Sequence, residues 1–203
     1  TVGYGRISPS GLFANTVAST EALIGILTLA INTGLLYGRF VKPKAHVKFS
    51  HRAVIAPFRD GRAFMFRMVP IKNASLSNVR VRVTASMMLK EGDKHINKFF
   101  NLPLQIDKLD MVVTTWTIVH PIDNESPLWN LRHAEMVESD LEVLVYLEAF
   151  DEDFSSTVIK RTSYNHEEIV FGARFTPAFY EDPHGNGSIV EHHKLSQIER
   201  LDM

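Results

Sequence analysis

From Leu12 to Val41 the chain reads LFANTVASTEALIGILTLAINTGLLYGRFV, and only Glu21 and Arg39 in that stretch are charged. Between Ala22 and Tyr37 there is no charge at all. A membrane-spanning helix needs roughly 20 mostly apolar residues, and this run supplies them with a margin for tilt. The alternative is a buried core helix of a large soluble protein, but such a helix usually keeps one polar face over this length. The expected fold is therefore built around one bilayer-crossing helix.

Small and hydroxyl residues recur along it, among them Ala14, Thr16, Ala18, Thr20, Gly25, Thr28, Thr33, Gly34 and Gly38. Such residues let membrane helices approach closely, and their hydroxyls can bond their own backbone. Gly25, Leu29, Thr33 and Tyr37 follow one another at four-residue spacing and share a helix face. Tyr37 is the bulkiest member of that face and a candidate constriction, with an interfacial aromatic anchor as the alternative. Glu21 is an acid at membrane depth, and a functional role is the default for such a residue. The helix exits through Arg39-Phe40-Val41-Lys42-Pro43-Lys44. Proline ends it, and the cations Arg39, Lys42 and Lys44 are placed to set topology and to meet anionic phospholipid headgroups.

Ahead of the helix stand Thr1-Val2-Gly3-Tyr4-Gly5. This pentapeptide is a known potassium-filter sequence, and its identity is taken from that precedent. The chemistry follows from the residues. A bare potassium ion needs about eight oxygens in place of its water, which the carbonyls of Thr1, Val2, Gly3 and Tyr4 and the Thr1 hydroxyl can supply. Gly3 and Gly5 allow the positive φ that alternate residues need if successive carbonyls are to point one way. One chain supplies one quarter of such a cage, so a homotetramer is expected. Potassium is the only metal implied, as permeant ion, with no cofactor. A filter cannot function as a free N-terminus, so an outer helix and a pore helix are expected upstream of Thr1.

Beyond Lys44 the pattern changes to short alternating runs. Val47–Phe49, Ala63–Val69, Val79–Val83, Val112–His120, Leu141–Phe150, Ser155–Thr162 and Ile169–Phe175 read as strands. Turn signals separate them at Asp60-Gly61, at Glu91-Gly92-Asp93, over Asp123–Pro127 and at His184-Gly185-Asn186-Gly187. Arg132–Ser139 is a candidate short helix. Many short strands with little helix predict an antiparallel sandwich of immunoglobulin-like type. The domains expected are thus 1–41 (filter and inner helix), 42–46 (linker) and 47–203 (β-sandwich).

The 203 residues carry 22 Lys+Arg against 23 Asp+Glu. That balance argues against a nucleic-acid partner. With no cysteine there is no disulfide framework and no thiolate metal site. No nucleotide-binding glycine fingerprint, phosphate loop or His-Glu-x-x-His is present, which argues against an enzyme. His192-His193 on a strand would point to opposite faces and make a poor metal site. His120 reads as a satisfied core histidine. The acids Asp151-Glu152-Asp153, between Ala149-Phe150 and Phe154, read as a solvated hairpin turn. On the axis of a four-fold assembly the same loop would make an acidic ring that concentrates cations.

The filter is followed in order by the inner helix ending Arg39–Lys44, Phe49-Ser50-His51 with Ala53-Val54-Ile55, and Trp116–Asp123 with Ser126-Pro127-Leu128. Tyr146-Leu147-Glu148, Ser163-Tyr164 and Glu168-Ile169-Val170 come next. This succession resembles the inward-rectifier potassium channel family, its prokaryotic branch above all. The resemblance implies a membrane α-helical pore joined to an all-β immunoglobulin-like cytoplasmic sandwich. It implies a homotetrameric, multi-pass protein of the cell (inner) membrane that conducts potassium passively. By position, Thr1 to Gly5 match the filter and Tyr37 the residue that closes the helix bundle. Leu29 matches a cavity position where strong rectifiers carry an acid. Arg39, Lys42 and Lys44 match the lipid-responsive linker. Ala149 to Ser156, including Phe150, Asp151, Glu152 and Asp153, match the loop that narrows the cytoplasmic pore, with Ala149 in place of the usual glycine.

Two other readings compete. A TVGYG channel gated by calcium or voltage would need a ligand domain of nucleotide-binding type or an arginine-rich sensor helix. A membrane-anchored β-sandwich interaction module would carry the filter letters by chance.

Overall fold

The computed structural model describes residues 5, 8–40, 44–71, 76–92, 94–181 and 188–201. It divides into two units, Thr1–Lys42 and Pro43–Met203, each of which has its own physical logic.

The first unit is a helix, α1 (Leu12–Phe40), of 29 residues. An α-helix satisfies its backbone polarity internally, as any segment in lipid must. The Thr16, Thr20 and Thr33 hydroxyls donate to the carbonyls of Leu12, Thr16 and Leu29 at 2.9, 2.9 and 2.8 Å, so these polar groups are closed off as well. None of its residues is buried within the chain. Among the described residues it is the one helix long and apolar enough to cross a membrane.

The second unit is mostly β. In chain order its strands are β1 (Val47–Phe49), β2 (Ala53–Phe58), β3 (Gly61–Pro70), β4 (Leu76–Glu91), β5 (Lys94–Asn101), β6 (Lys108–Met111) and β7 (Trp116–Ile122). After α2 (His133–Glu138) come β8 (Glu142–Asp151), β9 (Ser156–Asn165), β10 (Ile169–Phe171), β11 (Ala173–Phe175), β12 (Phe179–Glu181), β13 (Ser188–Val190) and β14 (Ile198–Arg200). Ten of these form two five-stranded sheets, while β11 pairs with β14 and β12 with β13 in two-stranded ones. In the first, Met68 of β3 faces Phe49 of β1 and Trp116 of β7, so β1 and β7 flank β3 on opposite sides. β2 continues the β1 side, and β10 joins it in parallel through Ile169↔Ala53. In the second, β4 is central, with β8 on one side and β5 and β6 on the other, and β9 lies beyond β8.

One core joins the inner faces of both sheets, including Phe64, Phe66 and Ile118 from the first and Val81, Val145 and Leu147 from the second. A sandwich places alternate residues of each strand in that core. β4 and β8 obey the rule with near-strict in–out alternation. Asn78, at φ 50°, marks a bulge in β4 where the register with β8 shifts between Ser77 and Arg80.

Several expected strand limits move. The strand expected over Val112–His120 begins only at Trp116, and Val112, though buried, lies in the irregular approach to it. The run Ile169–Phe175 is broken at Gly172, whose φ of 63° ends β10 and starts β11 in another sheet. The β2–β3 turn falls on Arg59-Asp60, with Arg59 at φ 52°, and Gly61 already lies in β3. His192-His193 are on a 3-10 turn (His192–Lys194), not a strand. The turn expected at His184–Gly187 lies outside the described residues.

Candidate functional site

Of the filter residues, Thr1, Val2, Gly3 and Tyr4 lie outside the described residues. Gly5 adopts φ 53° in a turn, a conformation that costs glycine nothing.

On α1, the face formed by Gly25, Leu29, Thr33 and Tyr37 presents a closed hydroxyl and two large exposed side chains. Thr33 Oγ1 is tied to Leu29 O. Leu29 and Tyr37 project away from the helix with about two thirds of their surface free, at 63% and 68%. Glu21 is exposed on the same helix, nine residues after Leu12 and before the uncharged stretch. Arg39 occupies the last turn, where a cation also complements the helix dipole. Lys42 lies outside the described residues, and Lys44 is exposed.

The β8–β9 hairpin corrects the reading of its acidic tip. Along β8, Ala149 and Asp151 turn inward and are 1% and 2% exposed, while Phe150 between them points out. Asp151 Oδ1 accepts from the backbone N–H groups of Asp153 and Phe154 at 3.0 and 3.1 Å. A buried carboxylate is tolerated when it closes a turn in this way. Ser155, at φ 46°, completes the reversal. Asp151 is thus a turn-closing residue, and the acids left to solvent are Glu152 and Asp153. Ala149 packs in the core.

His120 is a satisfied core histidine, as the sequence predicts. Its Nδ1 lies 2.6 Å from Pro103 O, and since a carbonyl only accepts, Nδ1 carries the proton. Nε2 then accepts from the Ser126 hydroxyl at 2.8 Å, and Ser126 Oγ accepts in turn from Leu128 N at 3.2 Å. Burial disfavours the imidazolium and pushes the His120 pKa down, against smaller opposing effects of Pro103 O and Asp123.

Sequence reasoning missed the junction centred on Ser50. Its Oγ donates to Arg52 O at 2.8 Å and accepts from Arg67 N at 3.1 Å. Tyr164 reaches the same residue from β9, and burial raises its phenol pKa well above the usual range. Arg67 spans β3, β7 and the C-terminal segment. Its guanidinium donates to Thr117 Oγ1 and Thr176 O and lies 4.7 Å from the Phe175 ring centroid. Ser50 and Tyr164 were visible only as family-like letters, because nothing local announces a contact across 114 residues. No group of three or more candidate metal ligands occurs among the described residues.

Comparison with known proteins follows the same outline. Residues 47–203 match the family described as the inward rectifier potassium channel C-terminal domain. The chain is 32% identical over 201 residues to inward rectifier potassium channel Kirbac3.1 of Paramagnetospirillum magnetotacticum, covering 97% of this chain and 68% of that protein. It is 28% identical over 193 residues to inward rectifier potassium channel 18 of Homo sapiens, covering 90% and 44%. It is also 28% identical over 200 residues to G protein-activated inward rectifier potassium channel 4 of Bos taurus, covering 89% and 47%. The chain therefore spans about two thirds of the bacterial relative and less than half of the two mammalian ones. None of these matches supports a voltage-gated channel.

Proposed function

Because the chain belongs to the inward-rectifier potassium channel family and fits its prokaryotic branch, we propose that it forms one quarter of a potassium-selective, passively conducting channel. The observation that carries this reading is the coincidence of three parts in one chain: TVGYG, a long apolar helix behind it, and a β-sandwich of the family's C-terminal type.

In this reading Thr1 to Gly5 replace the hydration shell of potassium, and four copies complete the ring. Gly25, Leu29, Thr33 and Tyr37 line the path below it, with Tyr37 as the narrowest point. Leu29 supports weak block by cytoplasmic cations, since an aliphatic side chain offers them no charge. Arg39, Lys42 and Lys44 meet anionic phospholipids at the inner face, where each cation near the surface contributes about 1 kcal/mol of attraction. The sandwich is of immunoglobulin-like type, lies in the cytoplasm and extends the pore. At its β8–β9 tip Phe150, Glu152 and Asp153 face the ions, while Ala149 and Asp151 hold the hairpin's shape from inside.

The test is potassium flux from the purified protein in liposomes made with anionic lipid. Barium-sensitive uptake of potassium over sodium is the expected result. Absence of uptake, or equal passage of sodium, sinks the channel reading and leaves a membrane-anchored interaction module.

A further inference from the structure

The exposed face of the second sheet carries a row of side chains that potassium conduction leaves unexplained. Tyr146 stands mid-strand on β8, with Arg82 of β4 and Arg161 of β9 directly opposite it on its two sides. Both guanidiniums are drawn to its ring, their Cζ atoms 4.7 and 5.5 Å from the centroid. Sharing one ring keeps the two guanidinium carbons no more than about 10 Å apart. One register step along, Arg80 of β4 faces Glu148 of β8.

Charge on this surface does not cancel. Glu148 Oε2 lies 3.6 Å from Arg82 Nη2, and that pair accounts for the one carboxylate among these cross-strand neighbours. Among the described residues, neither Arg80 nor Arg161 makes an ion pair. Lys108, opposite Arg80 on β6, pairs with Asp110 instead. Three guanidiniums thus face one carboxylate on the exposed face of the sheet. Arginine's planar fork takes phosphate oxygens two at a time, and stacking on Tyr146 removes part of the rotamer freedom that binding would otherwise have to quench.

We propose that the Arg82–Tyr146–Arg161 row, with Arg80 beside it, binds a multivalent phosphate, and that the ligand is a soluble polyphosphate. Two forks about 10 Å or less apart fit across a di- or triphosphate, each engaging a terminal group. A phosphoinositide headgroup offers the same chemistry from a membrane surface, and the test separates the two sources. The proposal stands whether or not the chain conducts potassium.

The experiment is calorimetric titration of the purified full chain in detergent with tripolyphosphate, at low and at moderate potassium chloride. Saturable, salt-weakened binding is expected, and Arg161→Gln should weaken it about tenfold, as loss of one charge-assisted contact does. Arg161→Lys should fall between the two, because a point charge keeps the attraction but not the two-point grip. Lys98→Gln removes a cation from the β4–β5 hairpin, away from the row, and should leave the affinity unchanged. No saturable binding by the unsubstituted protein overturns the site, as does equal weakening by Lys98→Gln and Arg161→Gln. Binding to vesicles that contain a bisphosphorylated phosphoinositide, with none to tripolyphosphate, overturns the soluble ligand.

Discussion

Tyr164 and Ser50 meet twice across 114 residues: the phenol donates to Ser50 O at 2.9 Å and lies 3.3 Å from Ser50 Oγ. Each hydroxyl has a single proton, Tyr164's given to Ser50 O and Ser50's to Arg52 O, so the second contact is a close approach and not a hydrogen bond. Through the bond to Ser50 O the end of β9 in one sheet is tied to the corner between β1 and β2 in the other. The ring itself packs on Phe64 and Phe66, with centroids 6.4 and 5.4 Å away. Tyr164→Phe keeps the ring and removes the tie. It should lower the stability of the β domain by about 1–2 kcal/mol, the cost of leaving a buried carbonyl unpaired. Chemical denaturation of the purified protein checks this, and an unchanged midpoint would show that Ser50 O finds another donor.

His120 makes stability depend on pH. Its folded pKa is depressed by burial below the ordinary 6.5, so between those two values the unfolded chain binds more protons than the folded one. Stability is therefore fully present above about pH 6.5 and falls as the pH drops below it, until the folded-state pKa is passed. His120→Gln should flatten this part of the profile even though it costs some stability at neutral pH. Thermal melts at closely spaced pH values between neutrality and mild acidity measure it. An unaltered slope in the variant would assign the acid sensitivity to other groups.

The three acids at the β8–β9 tip should behave unequally. Asp151 holds two backbone N–H groups, so Asp151→Ala should destabilise the domain by about 1 kcal/mol, in the range of a lost turn or helix cap. Glu152→Gln and Asp153→Asn leave those bonds intact and should be silent in stability. If the tip faces the ion path, the same two substitutions should lower inward potassium conductance, with a stronger effect at low salt where charge is less screened. Equal destabilisation by all three would contradict the assignment of Asp151 as the turn-closing acid.

The contrast between Asp151 and its neighbours shows where the sequence stops being legible. α1 could be read because a long uncharged run has few homes, and β4 and β8 because in–out alternation writes itself into hydrophobicity. β5 (KHINKFFN) escaped because it lies at the sheet edge, exposed along most of both faces, and so carries no alternation. β2 is legible only through its family-like letters, since a run buried at four consecutive positions and then broken by Pro57 has no period. Asp151 reads as solvent-exposed because charge is the default signal for exposure, yet its partners are backbone groups that no composition reveals. The Arg82–Tyr146–Arg161 row has the same origin. Its members are far apart in sequence and meet only through strand register.

Tyr37 is the bulkiest residue on the proposed pore face, and it projects from α1 with most of its surface free. If four such rings meet where the helices converge, Tyr37→Ala should raise the open probability in single-channel recordings. Thr33→Ala should change it little, because that hydroxyl is already spent on Leu29 O. Unchanged gating in Tyr37→Ala would remove it as the constriction and return it to the role of an interfacial anchor.

The linker cations give the last test, which separates lipid contact from mere topology. Arg39 and Lys44 are both exposed, and with Lys42 they place three positive charges within six residues of the helix end. Positive-inside orientation tolerates the loss of one or two such charges, whereas headgroup attraction falls with each by about 1 kcal/mol. The double substitution Lys42→Gln and Lys44→Gln should therefore leave insertion intact while shifting the flux response toward higher mole fractions of anionic lipid. Raising the ionic strength should narrow the gap between variant and unsubstituted protein, because screening removes the same attraction. An identical lipid titration for the two proteins, with normal insertion, would reduce Lys42 and Lys44 to topology signals.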